Sequence, residues 1–170
     1  MSQKRHDDLT MGQRRALMQV KIQNDIEKHG CFCMGVFGSE HRPPWTYSIG
    51  ITTTVPGAAE IMVYGLDPEN AAGIINIILE QMKEGRAFEA GKEYDGILQD
   101  LSVYFGRVEK QHYDDHFGQA INYHRGLDFA VWQLVWPDTA GRFPWQDGFE
   151  ERLREAQPLL FEAPSQKGHL

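Results

Sequence analysis

The sequence predicts a single α+β domain: a twisted, mostly antiparallel sheet of five or six strands covered by two main helices. Three observations carry the prediction. Short runs rich in β-branched and aromatic residues recur between Gly and Pro turn signals. Two longer segments repeat apolar residues at helical spacing and end in recognisable caps. No internal repeat, low-complexity block or change of composition divides the chain. At 170 residues it is one domain long, and a domain of this size buries roughly two-thirds of the surface its unfolded chain exposes. We expect the domain to span 1–162 and the tail 163–170, with its Pro, Ser, Gly and His, to fray.

In chain order, residues 10–29 carry Met11, Met18, Ile22 and Ile26 near helical spacing; Thr10 and Gln13 suit a capping box, and Gly30 suits the C-terminus. Three strands are expected next, as antiparallel neighbours: 31–37 (CFCMGVF), 45–51 (WTYSIGI) and, after the turn signal Val55-Pro56-Gly57, 60–66 (EIMVYGL). The second helix, 68–84, is the best-marked element. Asp67 suits its N-cap, Pro68 its first position and Gly85 its stop, while Ala71, Ile74, Ile75, Ile78 and Met82 line one face. Residues 86–100 read as a charged connection, 101–108 (LSVYFGRV) and 129–136 (FAVWQLVW) as strands, 111–126 as a short helix or ordered loop, and 149–156 as a last helix.

The 24 acidic and 17 basic residues leave a formal charge of −7. That field repels phosphate backbones and anionic lipid surfaces, so neither nucleic acid nor membrane is an expected partner. The opening MSQKRHDDLTMGQRR has no apolar run behind its charges, and the expected location is the cytoplasm. Cys31 and Cys33, two apart on a strand, share a face with Cα atoms roughly 7 Å apart, too far for an unstrained bridge; they are expected as reduced thiols.

WTYSIGI (45–51), IMVYGLD (61–67) and QLVWPDTAGRFPW (133–145) together resemble a bacterial family, the domain-of-unknown-function 4262 family. The resemblance covers residues 30–160 and implies a shared fold without implying a reaction. It also marks a departure: many members look as though they carry His-Pro-Glu before the IMVYGLD-like strand, where this chain has Ala58-Ala59-Glu60. Only the glutamate is kept.

The candidate binding residues are Tyr47, Glu60, Tyr64, His124, Trp136, Asp138, Arg142 and Trp145. Around 136–145 two Trp rings, a carboxylate and a guanidinium can frame a flat or anionic ligand, or else pin a tight corner in which Asp138 caps the turn. Tyr47 and Tyr64 lie mid-strand beside small residues that leave concave space. A site is expected where the Tyr47 strand and this corner meet. His112 and His116, four apart, share a helical face and with Asp or His124 would make a zinc set, but no Glu stands between them as metalloprotease chemistry requires. No nucleophile elbow or phosphate loop occurs, and no cofactor is expected. Two functions follow. The first is a binding or regulatory protein, such as a toxin-neutralising one, that recognises a protein or small ligand through the aromatic corner. The second is a small hydrolase or transferase using Glu60, Tyr47 and His124, with metal assistance if His112 and His116 bind one. A third reading makes the aromatics a homodimer interface.

Overall fold

The computed structural model describes residues 9–165. Its elements are α1 (Met11–His29), β1 (Phe32–Val36), β2 (Trp45–Ile49), α2 (Ile51–Thr54), β3 (Glu60–Tyr64), α3 (Pro68–Lys83), β4 (Glu93–Leu98), β5 (Leu101–Arg107), α4 (Tyr113–His116), α5 (Gly118–His124), β6 (Val131–Val135) and α6 (Glu151–Ala156). The six strands form one open sheet in the order β1-β2-β3-β6-β5-β4. All neighbours are antiparallel except β3 and β6, which run parallel. A parallel pair needs a crossover, here supplied by everything from α3 to α5.

Both faces of this sheet are covered, so the central strands β2 and β3 are buried along their whole length. Alternation sorts their side chains. Trp45, Tyr47, Ile49, Met62, Tyr64 and Val131 meet Ile22 and Ile26 of α1 and the α4–α5 residues Tyr113, Phe117 and Ala120 on one face. Ile61, Val63, Phe105 and Leu134 meet Ile75, Ile78 and Leu79 of α3 on the other. Each aliphatic side chain of α3 buried in this way contributes about 1.5–3 kcal/mol of transfer free energy.

The helix ends follow local chemistry. Thr10 and Gln13 form the reciprocal capping box, and Gly30 at φ 93° closes α1. The Asp67 side chain accepts from the Asn70 N–H at the start of α3, with Pro68 in the first turn. Two of the differences from the sequence reading have a clear local cause. β4 lies inside the stretch read as a connection; as an edge strand it buries only Ile97 fully and so lacks an apolar signature. β2 ends at Ile49 rather than Ile51, because Gly50 at φ 105° turns the chain into the single-turn helix α2. A Cβ at Gly50 would stand 2.6 Å from Ile26, so only glycine fits.

Two buried glutamines tie the C-terminal segment across the sheet. Gln133 donates to the Pro158 carbonyl and accepts from the Leu160 N–H, both at 2.8 Å. Gln157 accepts from the Trp136 N–H and donates to its carbonyl. Each carboxamide replaces the ladder hydrogen bonds that a further strand would make. Of the tail expected to fray, residues 166–170 lie outside the described residues.

Candidate functional site

The β2–β3 ladder stops at the Tyr47–Met62 pair. Beyond it the Ser48 hydroxyl enters between the strands, accepting from the Ile61 N–H at 2.9 Å and donating to Glu60 Oε1 at 2.8 Å. The gap admits the Glu60 carboxylate, which is fully buried. Oε1 also accepts from the Ile51 N–H at 3.0 Å. Oε2 accepts from the Gly50 N–H at 2.9 Å and the Thr52 hydroxyl at 3.2 Å. The remaining partner is His124 Nε2, 3.1 Å from Oε2. Five donors converge on one carboxylate, satisfying a buried charge that would otherwise be costly.

His124 is the last residue of α5, and the helix is held at both ends. At its start the Tyr47 hydroxyl accepts from the Gln119 N–H at 3.3 Å. At its end Arg125 takes a left-handed conformation, φ 58°. The imidazole stacks on Phe129, with centroids 4.2 Å apart and planes at 15°, and meets Tyr123 edge-on. Its side chain is 14% exposed, and Nδ1 makes no hydrogen bond among the described residues. Because Glu60 Oε2 is an acceptor, Nε2 carries a proton, and in the neutral ring the basic nitrogen is then Nδ1. Chemically this is an oriented base beside a buried anion.

The other candidates are engaged elsewhere. Burial pushes the Tyr47 phenol up to about 12 despite its backbone hydrogen bonds, so it stays protonated at neutral pH. Tyr64 donates to His116 Nε2 at 2.5 Å, and His116 Nδ1–H donates to the His112 carbonyl at 3.0 Å. Both ring nitrogens of His116 are thus occupied within the fold. Burial, set against the His112 carbonyl, pushes the His116 imidazole below its ordinary value. Among the described residues no three His, Cys, Asp or Glu side chains are grouped to hold a metal.

At the 136–145 corner, Asp138 Oδ1 accepts from the Ala140 and Arg142 N–H groups, and Oδ2 from Arg142 Nε at 3.1 Å and the Glu150 N–H at 3.3 Å. Burial opposes ionisation of Asp138, but the Arg142 backbone and side chain outweigh it and hold the carboxyl below its usual range. Trp136 Nε1 donates to the Tyr64 carbonyl, while Trp145 stacks on Phe143 and meets Tyr104 edge-on. The carboxylate and guanidinium are used on each other and on the turn. Tyr47 packs on Phe117 in one core cluster and Trp136 against the other, so the strand and the corner have separate partners. Glu60 and His124, far apart in sequence, meet side chain to side chain.

Cys31 and Cys33 are both free, one buried and one half-buried. Among the described residues no helix is long and apolar enough to cross a membrane.

Sequence reasoning did not single out Ser48, Gln133 or Gln157. Each is an ordinary polar residue in an apolar strand or loop, and the only signal is that a buried polar side chain needs a specific partner.

Fold and site define a class of protein: one α+β domain on an open six-stranded, mostly antiparallel sheet, with a carboxylate–imidazole pair at one end of its central strands. The chain belongs to the family described as Domain of unknown function (DUF4262), whose model matches residues 25–150. No curated protein and no solved structure matches it.

Proposed function

We propose that the chain is a small hydrolase or transferase in which His124 is the general base and Glu60 orients it. The observation that carries this reading is the His124 Nε2–Glu60 Oε2 contact of 3.1 Å on a carboxylate held by four further donors. A carboxylate so fixed holds the ring and its tautomer, and a positive charge formed on the ring during proton transfer is stabilised by the adjacent anion. His124 Nδ1 would take a proton from water or from a substrate hydroxyl. Tyr47 acts through α5 as a positioning residue.

The test is a panel of activated ester, amide, phosphoryl and glycosyl substrates, assayed with the wild type and His124→Gln. A positioned base contributes roughly 10²–10⁴ in rate, so the variant should lose about that factor from any activity found. Turnover equal in both proteins, or none above buffer across the panel, would refute the reading.

A second reading keeps recognition of a protein or small ligand beside the aromatic corner. It is favoured by a mostly apolar hollow of about 370 Å³ lined by Leu66, Asn70, Ile74, Leu98, Trp136 and Pro137. On this reading Ile74→Glu would abolish capture of a partner while leaving His124-dependent turnover intact. If instead the hollow seats a second copy, light scattering would show a dimer that Ile74→Glu dissociates.

A further inference from the structure

Between α1 and α5 lies a cleft of about 440 Å³, lined by Gln19, Gln23, Gln119, Asn122, Tyr123 and Arg125, with Ile22 also in its wall. Its size falls in the range of small-molecule sites, roughly 300–1,000 Å³. Its chemistry is uneven: four carboxamides, one guanidinium, and no carboxylate in the lining. Gln23 donates to Glu27 at 3.2 Å, and the Tyr123 hydroxyl pairs with Thr53 at 2.8 Å. The side chains of Gln19, Gln119, Asn122 and Arg125 have no hydrogen-bond or ion-pair partner among the described residues.

Arg125 is the informative residue. It ends α5 in the left-handed region at φ 58°, a position where glycine is the low-cost choice and an arginine backbone is strained. Nothing in the helix cap calls for its side chain, because the capping bonds are made by backbone N–H groups, with Gly126 donating to Ile121. Strain kept in a residue that lines a cleft points to a use for the guanidinium.

We infer that this cleft binds a small monocarboxylate that also carries amide or hydroxyl groups. Arg125 would grip the carboxylate as a fork, and the carboxamides would match the neutral groups with both donors and acceptors. One guanidinium suits a single negative charge better than a phosphate dianion, the more so on a chain of net charge −7. The inference goes beyond the acid–base reading and does not rest on it, since the cleft is lined by Arg125 and the carboxamides rather than by His124.

The experiment is calorimetric titration of the full chain with gluconate and with N-acetyl-L-glutamine, using glucose and N-acetyl-L-glutamine amide as uncharged controls. The wild type should bind at least one of the acids more tightly than its control. Arg125→Gly should weaken that binding about tenfold or more. Its melting temperature should be no lower than the wild type's, because glycine relieves the strain; loss of binding is then not loss of fold. The inference is overturned if neither acid binds, if acids and controls bind alike, or if Arg125→Gly binds as the wild type does. Binding that needs Arg125 supports the inference whether or not any His124-dependent turnover is found, so the two readings fail separately.

Discussion

Replacing Glu60 by glutamine changes almost no volume and reverses the polarity of one atom, so its cost can be worked from the contacts. Each carboxylate oxygen accepts one backbone N–H, Oε1 from Ile51 and Oε2 from Gly50. Whichever way the new amide lies, its NH₂ therefore confronts a backbone N–H. The Ser48 and Thr52 hydroxyls can rotate and His124 can change tautomer, but a peptide N–H cannot become an acceptor. An unsatisfied buried donor costs about 1–3 kcal/mol, and the surviving bonds lose their charge assistance. We expect about 3–5 kcal/mol in total, in line with breaking other buried charge pairs. For a domain of this size 1 kcal/mol moves the midpoint by about 2–4 °C, so Glu60→Gln should melt about 10 °C below the wild type. Thermal unfolding followed by circular dichroism measures this, with Glu80→Gln as control, since among the described residues the Glu80 carboxylate makes only an exposed pair with Lys83 and should change stability by under about 0.5 kcal/mol. A Glu60→Gln midpoint within about 3 °C of the wild type would refute the carboxylate's role as the organiser of the β2–α2 junction.

Three further outcomes are expected. The His116 imidazole is held below its ordinary value by burial, so below about pH 6.5 the unfolded chain binds the extra proton more readily; stability should fall from pH 7.5 to 5.5 in urea unfolding, and His116→Gln should flatten that fall. Tyr47→Phe removes the acceptor for the Gln119 N–H and should cost about 0.5–1.5 kcal/mol, seen as an earlier urea midpoint, while any activity drops far less than in His124→Gln; an equal drop would make Tyr47 catalytic. At Gly106 a Cβ would collide with the Phe161 ring, so Gly106→Ala should release the C-terminal segment, and limited proteolysis should then remove residues beyond Gln157 faster than in the wild type.

The fold was legible in the sequence where local chemistry and tertiary packing agree. Thr10, Gln13 and Gly30 bound α1, and Asp67 and Pro68 begin α3, because caps are made by residues three or four apart and need no distant partner. The alternation of Trp45, Tyr47 and Ile49 marks β2 for the same reason. β4 was not legible, because an edge strand with one fully buried side chain has no pattern to read. Glu60, Tyr47 and His124 were grouped from the sequence as one candidate set, but the direct contact between the first and the last is given by the structure alone.

Composition, charge, caps and periodicity, all readable along the chain, thus determined an acidic α+β domain with its main helices and five of its strands. Tertiary structure alone decided that β3 and β6 lie side by side in parallel, that Asp138 and Arg142 spend their charges on their own turn, and that a carboxylate at residue 60 meets an imidazole at residue 124. The physical reason is range. Capping and alternation are set by neighbours in sequence, whereas the partner of a buried polar group is whichever group the packed core delivers to it, and only the folded chain specifies which one that is.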